Sequence, residues 1–113
     1  MTPEEIVQKQ LDAYNACDID AFAATYTDDI EVVDGDGTVR CKGLAQLREI
    51  YGPLFRENPN QMAMITHRIT AGDWVIDDET VLGRKDGNTR RAVAIYRIRD
   101  DKIAHVTLIS KIS

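Results

Sequence analysis

Apolar positions recur at helical spacing through the first half of the chain and alternate with polar positions through the second. Thr2, Pro3 and Glu5 form a helix start: a capping threonine, a proline at the first helical position and a glutamate three residues after the cap. Ile6, Val7, Leu11 and Tyr14 continue it as one apolar stripe. Residues 15–18 (Asn-Ala-Cys-Asp) break that stripe, and Asp18 is placed to cap a second, shorter helix carrying Phe22 and Ala23 and ending near Tyr26. Ile30–Asp34 reads as a short strand, Gly35-Asp36-Gly37 as a turn and Thr38–Cys41 as a second short strand. After Gly43, the spacing of Leu44, Leu47, Tyr51, Leu54 and Phe55 predicts an amphipathic third helix. Pro53 predicts a kink or a tightened stretch near its end.

Four longer strands follow: Met62–Thr70, Trp74–Arg84, Thr89–Arg99 and Lys102–Ile112. Ala71-Gly72-Asp73, Asp86-Gly87 and Asp100-Asp101 are their turn signals. No linker or repeat interrupts the series, so a single domain over residues 1–113 is expected. The order predicts an α+β architecture, with three N-terminal helices covering a strongly curved, mostly antiparallel sheet. A wedge between helices and sheet is a natural site for a small organic molecule. Trp74, Ile76, Val93, Ile95, Val106, Leu108 and Ile112 supply more apolar surface than one side of a monomer uses, which predicts a homodimer through the outer sheet face.

Composition narrows the functional classes. A net charge of −5 and a pI near 4.9 argue against nucleic acid or an anionic membrane as partner. The longest apolar run, Ala92–Tyr96, is far short of the ~20 residues of a membrane span. The N-terminus is acidic, unlike a secretory signal, so a cytoplasmic, reduced protein is expected. Cys17 and Cys41 share no motif spacing; they read as small buried hydrophobes, with a disulfide between them as the lesser alternative. His67 and His105 are isolated, His/Cys clusters are lacking, and neither a metal nor an organic cofactor is expected.

Several residues carry two readings. Asp34 is either a general base, if partly desolvated, or a strand-end residue bonded to the turn after it. Tyr14 and Tyr51 lie on apolar helix stripes and read first as core, and so, singly, do Tyr26 and Tyr96. Together the four could place hydroxyls on a pocket wall. His67 is an acid–base candidate or a surface strand residue, and His105 likewise. Alternation sends Asp78 to one sheet face and Asp77 and Glu79 to the other. A cross-strand ion pair with Arg90, Arg91 or Arg97 is the structural reading, and a polar pocket floor the functional one. Arg90, Arg91, Arg97 and Arg99 interleave with acidic strands, as on a solvated or dimer-bridging face.

Three stretches resemble the NTF2-like superfamily, in particular its SnoaL-like and ketosteroid-isomerase-like branches: residues 15–20 (Asn-Ala-Cys-Asp-Ile-Asp), 26–34 (Tyr-Thr-Asp-Asp-Ile-Glu-Val-Val-Asp) and 43–51 (Gly-Leu-Ala-Gln-Leu-Arg-Glu-Ile-Tyr). The resemblance covers essentially the whole chain and implies a cone-shaped fold, though not one function. It gives Asp34 the role of the proton-shuttling acid of ketosteroid isomerases, and Tyr51 that of an auxiliary tyrosine. The oxyanion-binding pair does not carry over, because Gln10 and Ala94 stand where the family has a tyrosine and a second acid. Losing one such donor costs ~10²–10³ in rate, so ordinary ketosteroid isomerase activity is not expected. Two functions follow as expectations. One is cofactor-free isomerisation, dehydration or cyclisation of a small hydrophobic substrate, with Asp34 as base and Tyr14, Tyr51, His67 and Tyr96 at the pocket. The other is a non-catalytic ligand-binding or dimeric interaction module.

Overall fold

The structure, a computed structural model, describes residues 1–111. Helix α1 (Pro3–Asn15) begins as its sequence demands. The Thr2 hydroxyl accepts from the Glu5 amide at 3.2 Å, and the Glu5 carboxylate accepts from the Thr2 amide at 2.8 Å. Two of the orphan donors of the first turn are thereby satisfied. Asp18 caps the short α2 (Ile19–Ala23) through the Ala21 amide. Helix α3 (Leu44–Glu57) continues through Pro53 as one α-helix, without the tightened last stretch that was one expectation. Gly52 and Phe55 on either side are buried, and tertiary packing holds the last turn despite the missing donor.

Six strands form one sheet: β1 (Tyr26–Asp34), β2 (Val39–Lys42), β3 (Met62–Ala71), β4 (Trp74–Leu82), β5 (Arg90–Arg99) and β6 (Lys102–Ser110). Their order is β2-β1-β6-β5-β4-β3. All neighbours are antiparallel except β1 and β6, so the sheet is mixed. It is not strongly curled, which corrects the expected deep curvature. Twist of roughly 20–25° between neighbours turns strands without rolling the sheet up, and β2 and β3 remain as open edges. Three antiparallel pairings carry register shifts, near Val32/Val33, Ile65/His67 and Arg97/Ile98. The one in β3 decides which side chains face the helices.

The inner face is a dense core. Val75, Val81, Ala92, Ala94, Tyr96 and Val106 lie buried, and Ile6, Phe22, Leu47 and Phe55 come down on that face from the helices. Trp74, Ile76, Val93 and Ile95 alternate to the outer face, as expected. Val106 and Leu108 do not join them: they line a cavity on the inner side. Ile112 falls outside the described residues. Ile69, Ile76 and Ile95 stand in register across three strands of the outer face, with Ile69 60% exposed. Among the described residues no helix is long and apolar enough to cross a membrane.

Candidate functional site

Between the helices and the inner sheet face lies a cavity with about 50 Å³ of free space. On the same measure a water takes ~10–15 Å³, so the free space holds roughly three to five water-sized groups, the scale of a small organic molecule. One wall is an aromatic cluster from the three helices and the start of β1. Phe22 lies 5.0 Å from Tyr26, 4.9 Å from Tyr51 and 5.3 Å from Phe55 by ring centroids, and Tyr14 meets Phe55 edge-on at 5.4 Å. Such packing fixes ring orientation and hence the direction of each hydroxyl. Tyr14, Tyr26, Tyr51 and Tyr96 all line the space.

The four hydroxyls differ in what they touch. Tyr14 accepts from Arg84 Nη2 at 2.9 Å and donates to Gln61 Oε1 at 3.4 Å, so it is engaged. Among the described residues the other three donate no hydrogen bond within 3.5 Å, although the Gln10 amide lies beside Tyr26. Burial pushes Tyr51 up to about 12 and Tyr26 and Tyr96 well above the usual phenol range. All four are therefore neutral hydrogen-bonding groups near neutral pH.

Glu79 is the cavity's carboxyl group. Strand alternation places Val75, Asp77, Glu79 and Val81 on the inner face of β4. Asp77 is neutralised there: Arg68 on β3 grips it through Nε at 2.6 Å and Nη2 at 2.9 Å, and Gln8 holds Arg68 Nη1 at 2.9 Å. Glu79 has no such partner. Its cross-strand neighbours are Ile65 and Ala92, and among the described residues nothing pairs with or hydrogen-bonds its carboxylate. Desolvation raises its pKa from an ordinary 4.5 to about 7, with the negative charge of Asp77 acting in the same sense; Arg90 and Arg84 pull the other way. A carboxyl group that ionises near neutrality and faces a cavity is equipped to exchange protons with whatever occupies it.

The expected ion pairs are thus placed differently. Asp77 uses Arg68 rather than an arginine of β5, and Asp78, on the outer face, meets Lys111 at 3.1 Å. Arg97 stacks over Trp74 at 5.5 Å, and Arg99 pairs with Asp29 at 2.6 Å.

The other sequence candidates separate. Tyr14, Tyr51 and Tyr96 come together at the cavity. His67 lies on the outer face with its side chain 80% exposed and Nδ1 3.9 Å from Asp78. His105, half-buried, faces Glu31 at 3.7 Å. Asp34 sits level with Leu108 at the end of β1 and is not among the lining residues. Its amide donates to Thr38 O at 2.8 Å, its carbonyl accepts from Gly37, and its carboxylate, 38% exposed, pairs with Arg40 at 3.3 Å. Gln10 lines the cavity, and Ala94 is buried on β5. Both cysteines are free. Among the described residues no group of three or more His, Cys, Asp or Glu is placed to hold a metal ion.

Residues 7–106 match the SnoaL-like domain family. No protein of curated function matches the chain. Solved structures share its architecture. An uncharacterised cystatin-fold protein from Novosphingobium aromaticivorans is 28% identical, with 96% of this chain and 98% of that one covered at a TM-score of 0.87. An NTF2-like protein of unknown function from Cytophaga hutchinsonii is 14% identical, with 98% and 91% covered at 0.81. A protein with a ketosteroid isomerase-like fold from Catenulispora acidiphila, in complex with trimethylamine, is 22% identical, with 96% and 85% covered at 0.77.

Proposed function

The chain belongs to the SnoaL-like domain family, and from that premise we propose that it is a cofactor-free acid–base enzyme, an isomerase or lyase, acting on a small organic molecule held in the cavity. The observation carrying this reading is Glu79: an unpaired carboxyl group facing the cavity, with a pKa of about 7 and tyrosine hydroxyls around it. In the reaction Glu79 takes a proton from a carbon beside a carbonyl, and charge moves onto the carbonyl oxygen. A hydroxyl of Tyr26, Tyr51 or Tyr96 donates to that oxygen. Glu79 then returns the proton to a different carbon, or a β-substituent leaves instead. The proton-shuttling role that family resemblance gives Asp34 passes in this proposal to Glu79, because the Asp34 carboxylate is half-exposed and held by Arg40. The small free volume favours substrates well below steroid size. The test is a screen of short ketones, lactones and oxo acids in heavy water. Protein-dependent deuterium exchange beside the carbonyl supports the proposal, and none across the panel counts against it.

A second reading, a non-catalytic binding or interaction module, is favoured by Gln10 and Ala94 standing where the family's oxyanion donors would be. Small-molecule binding without exchange would select it. We also infer a homodimer through the outer sheet face, where Ile69, Trp74 and Ile109 lie exposed around the half-buried Ile76 and Ile95. Light scattering should give twice the 12.7 kDa chain mass, and Ile95→Lys should return it to the monomer. A wild-type monomer at high micromolar concentration contradicts this.

A further inference from the structure

We propose that the cavity selects a small carboxylate, a short oxo or unsaturated acid whose anionic group lies between Arg84 and Arg90. This deepens, and rests on, the reading of the cavity as a substrate site. Glu79 is the one carboxyl among the lining residues, set against these two guanidiniums. Among the described residues neither guanidinium lies within 4.0 Å of a carboxylate, whereas Arg40, Arg48, Arg68 and Arg99 are all paired and the other arginines without a carboxylate, Arg56, Arg91 and Arg97, are exposed outside the cavity lining. In a chain with 19 acidic and 14 basic residues, two cations left together at one cavity run against the overall charge.

Arg84 is held in place by the backbone around it. Gly83 has φ +75°, and a Cβ there would run into the Asn60 carbonyl oxygen, so the chain is pressed tightly against the α3–β3 connection. The Lys85 amide donates to Asn58 Oδ1 at 2.8 Å, and the Gly87 amide closes a turn onto the Arg84 carbonyl. From that seat Arg84 reaches Tyr14 with Nη2, while its buried Nε–H has no acceptor among the described residues. A guanidinium stays charged at any working pH, and without an acceptor it remains unsatisfied. With Tyr26, Tyr51 and Tyr96 the cavity offers donors on several sides and few acceptors. A carboxylate presents two acceptor oxygens in the geometry a guanidinium fork matches, and a protonated amine presents none.

The probes are pivalate and its neutral, near-isosteric amide, pivalamide, titrated at pH 6 into the full chain with amide chemical shifts as readout. Pivalate should bind about tenfold or more tighter, moving residues around Tyr14, Tyr51 and Glu79. Arg90→Met, at the exposed start of β5, should remove most of that preference. Arg84→Met should do the same, and Arg90→Met alone decides the matter if loss of the Tyr14 contact unfolds the chain. Equal binding of both probes, or a preference unchanged in Arg90→Met, overturns the carboxylate assignment and leaves the cavity as a binding site. If neither probe perturbs the cavity residues, and a neutral fragment panel fails as well, the substrate-site reading falls together with it.

Discussion

Glu79→Gln should lower turnover of any substrate found for the cavity by ~10²–10⁴, the range typical for removing a positioned general acid–base group. Asp34→Asn should change it less than about tenfold, because that carboxylate is engaged by Arg40 outside the lining. In the wild type kcat/KM should rise with pH through about 7 as Glu79 ionises. Arg84, Arg90 and Asp77 bear on that midpoint, and the neighbouring tyrosines ionise well above it. The same substitution has a second readout that separates chemistry from misfolding. Glu79 holds its proton more tightly in the folded chain than its ordinary 4.5, so its favourable contribution to stability is complete below about pH 4.5. It is lost as pH rises through about 7. Glu79→Gln should therefore match the wild type in acid and be more stable at pH 8, on the order of 3 kcal/mol. An inactive, stabilised variant identifies a functional carboxyl group. A variant that retains full turnover, with Asp34→Asn inactive, returns the role to Asp34.

Arg68→Met should destabilise the fold by about 3–5 kcal/mol, since it strands Asp77 as an uncompensated buried charge. Asp77 is 1% exposed and takes both of its short hydrogen bonds from that one guanidinium. At roughly 4–8 °C per kcal/mol for a domain near this size, the Tm should fall by more than about 12 °C. Replacing the pair together, as Arg68→Met with Asp77→Leu, should recover most of the loss, because a buried ion pair and an apolar pair of similar volume are often close in energy. Thermal unfolding of the three chains checks this. A single variant within about 1 kcal/mol of wild type contradicts it. The pair also bears on the site, since Asp77 and Glu79 share one face of β4 and the unpaired charge of Asp77 would resist ionisation of Glu79.

Local signals were legible wherever neighbouring residues decide the outcome. The Thr2–Glu5 capping box, the Asp18 cap and the tyrosines on two helical stripes formed as the sequence indicated. What stayed hidden depends on register. The shift in β3 near Thr66 inserts one residue between Ile65, opposite Glu79, and His67, opposite Asp78. Unbroken alternation from Ala63 would have turned His67 inward; after the shift His67 faces out and Arg68 faces the helices. A one-residue slip exchanges faces for everything that follows. It also brings Arg68 to Asp77, so the arginines of β5 are not used and Glu79 is left alone. Alternation did place Asp77 and Glu79 on one face, but which of them would lack a partner could not be read without that bulge.

Glu79 can be followed by carbon-detected NMR, titrating its side-chain carboxyl from pH 3 to pH 9 in wild type, with Glu79→Gln to assign the resonance. A midpoint near 7 would establish a desolvated, proton-exchanging carboxyl group at the heart of the cavity. A midpoint at the ordinary 4.5 would mean a solvated or paired side chain and would contradict the acid–base role proposed for it.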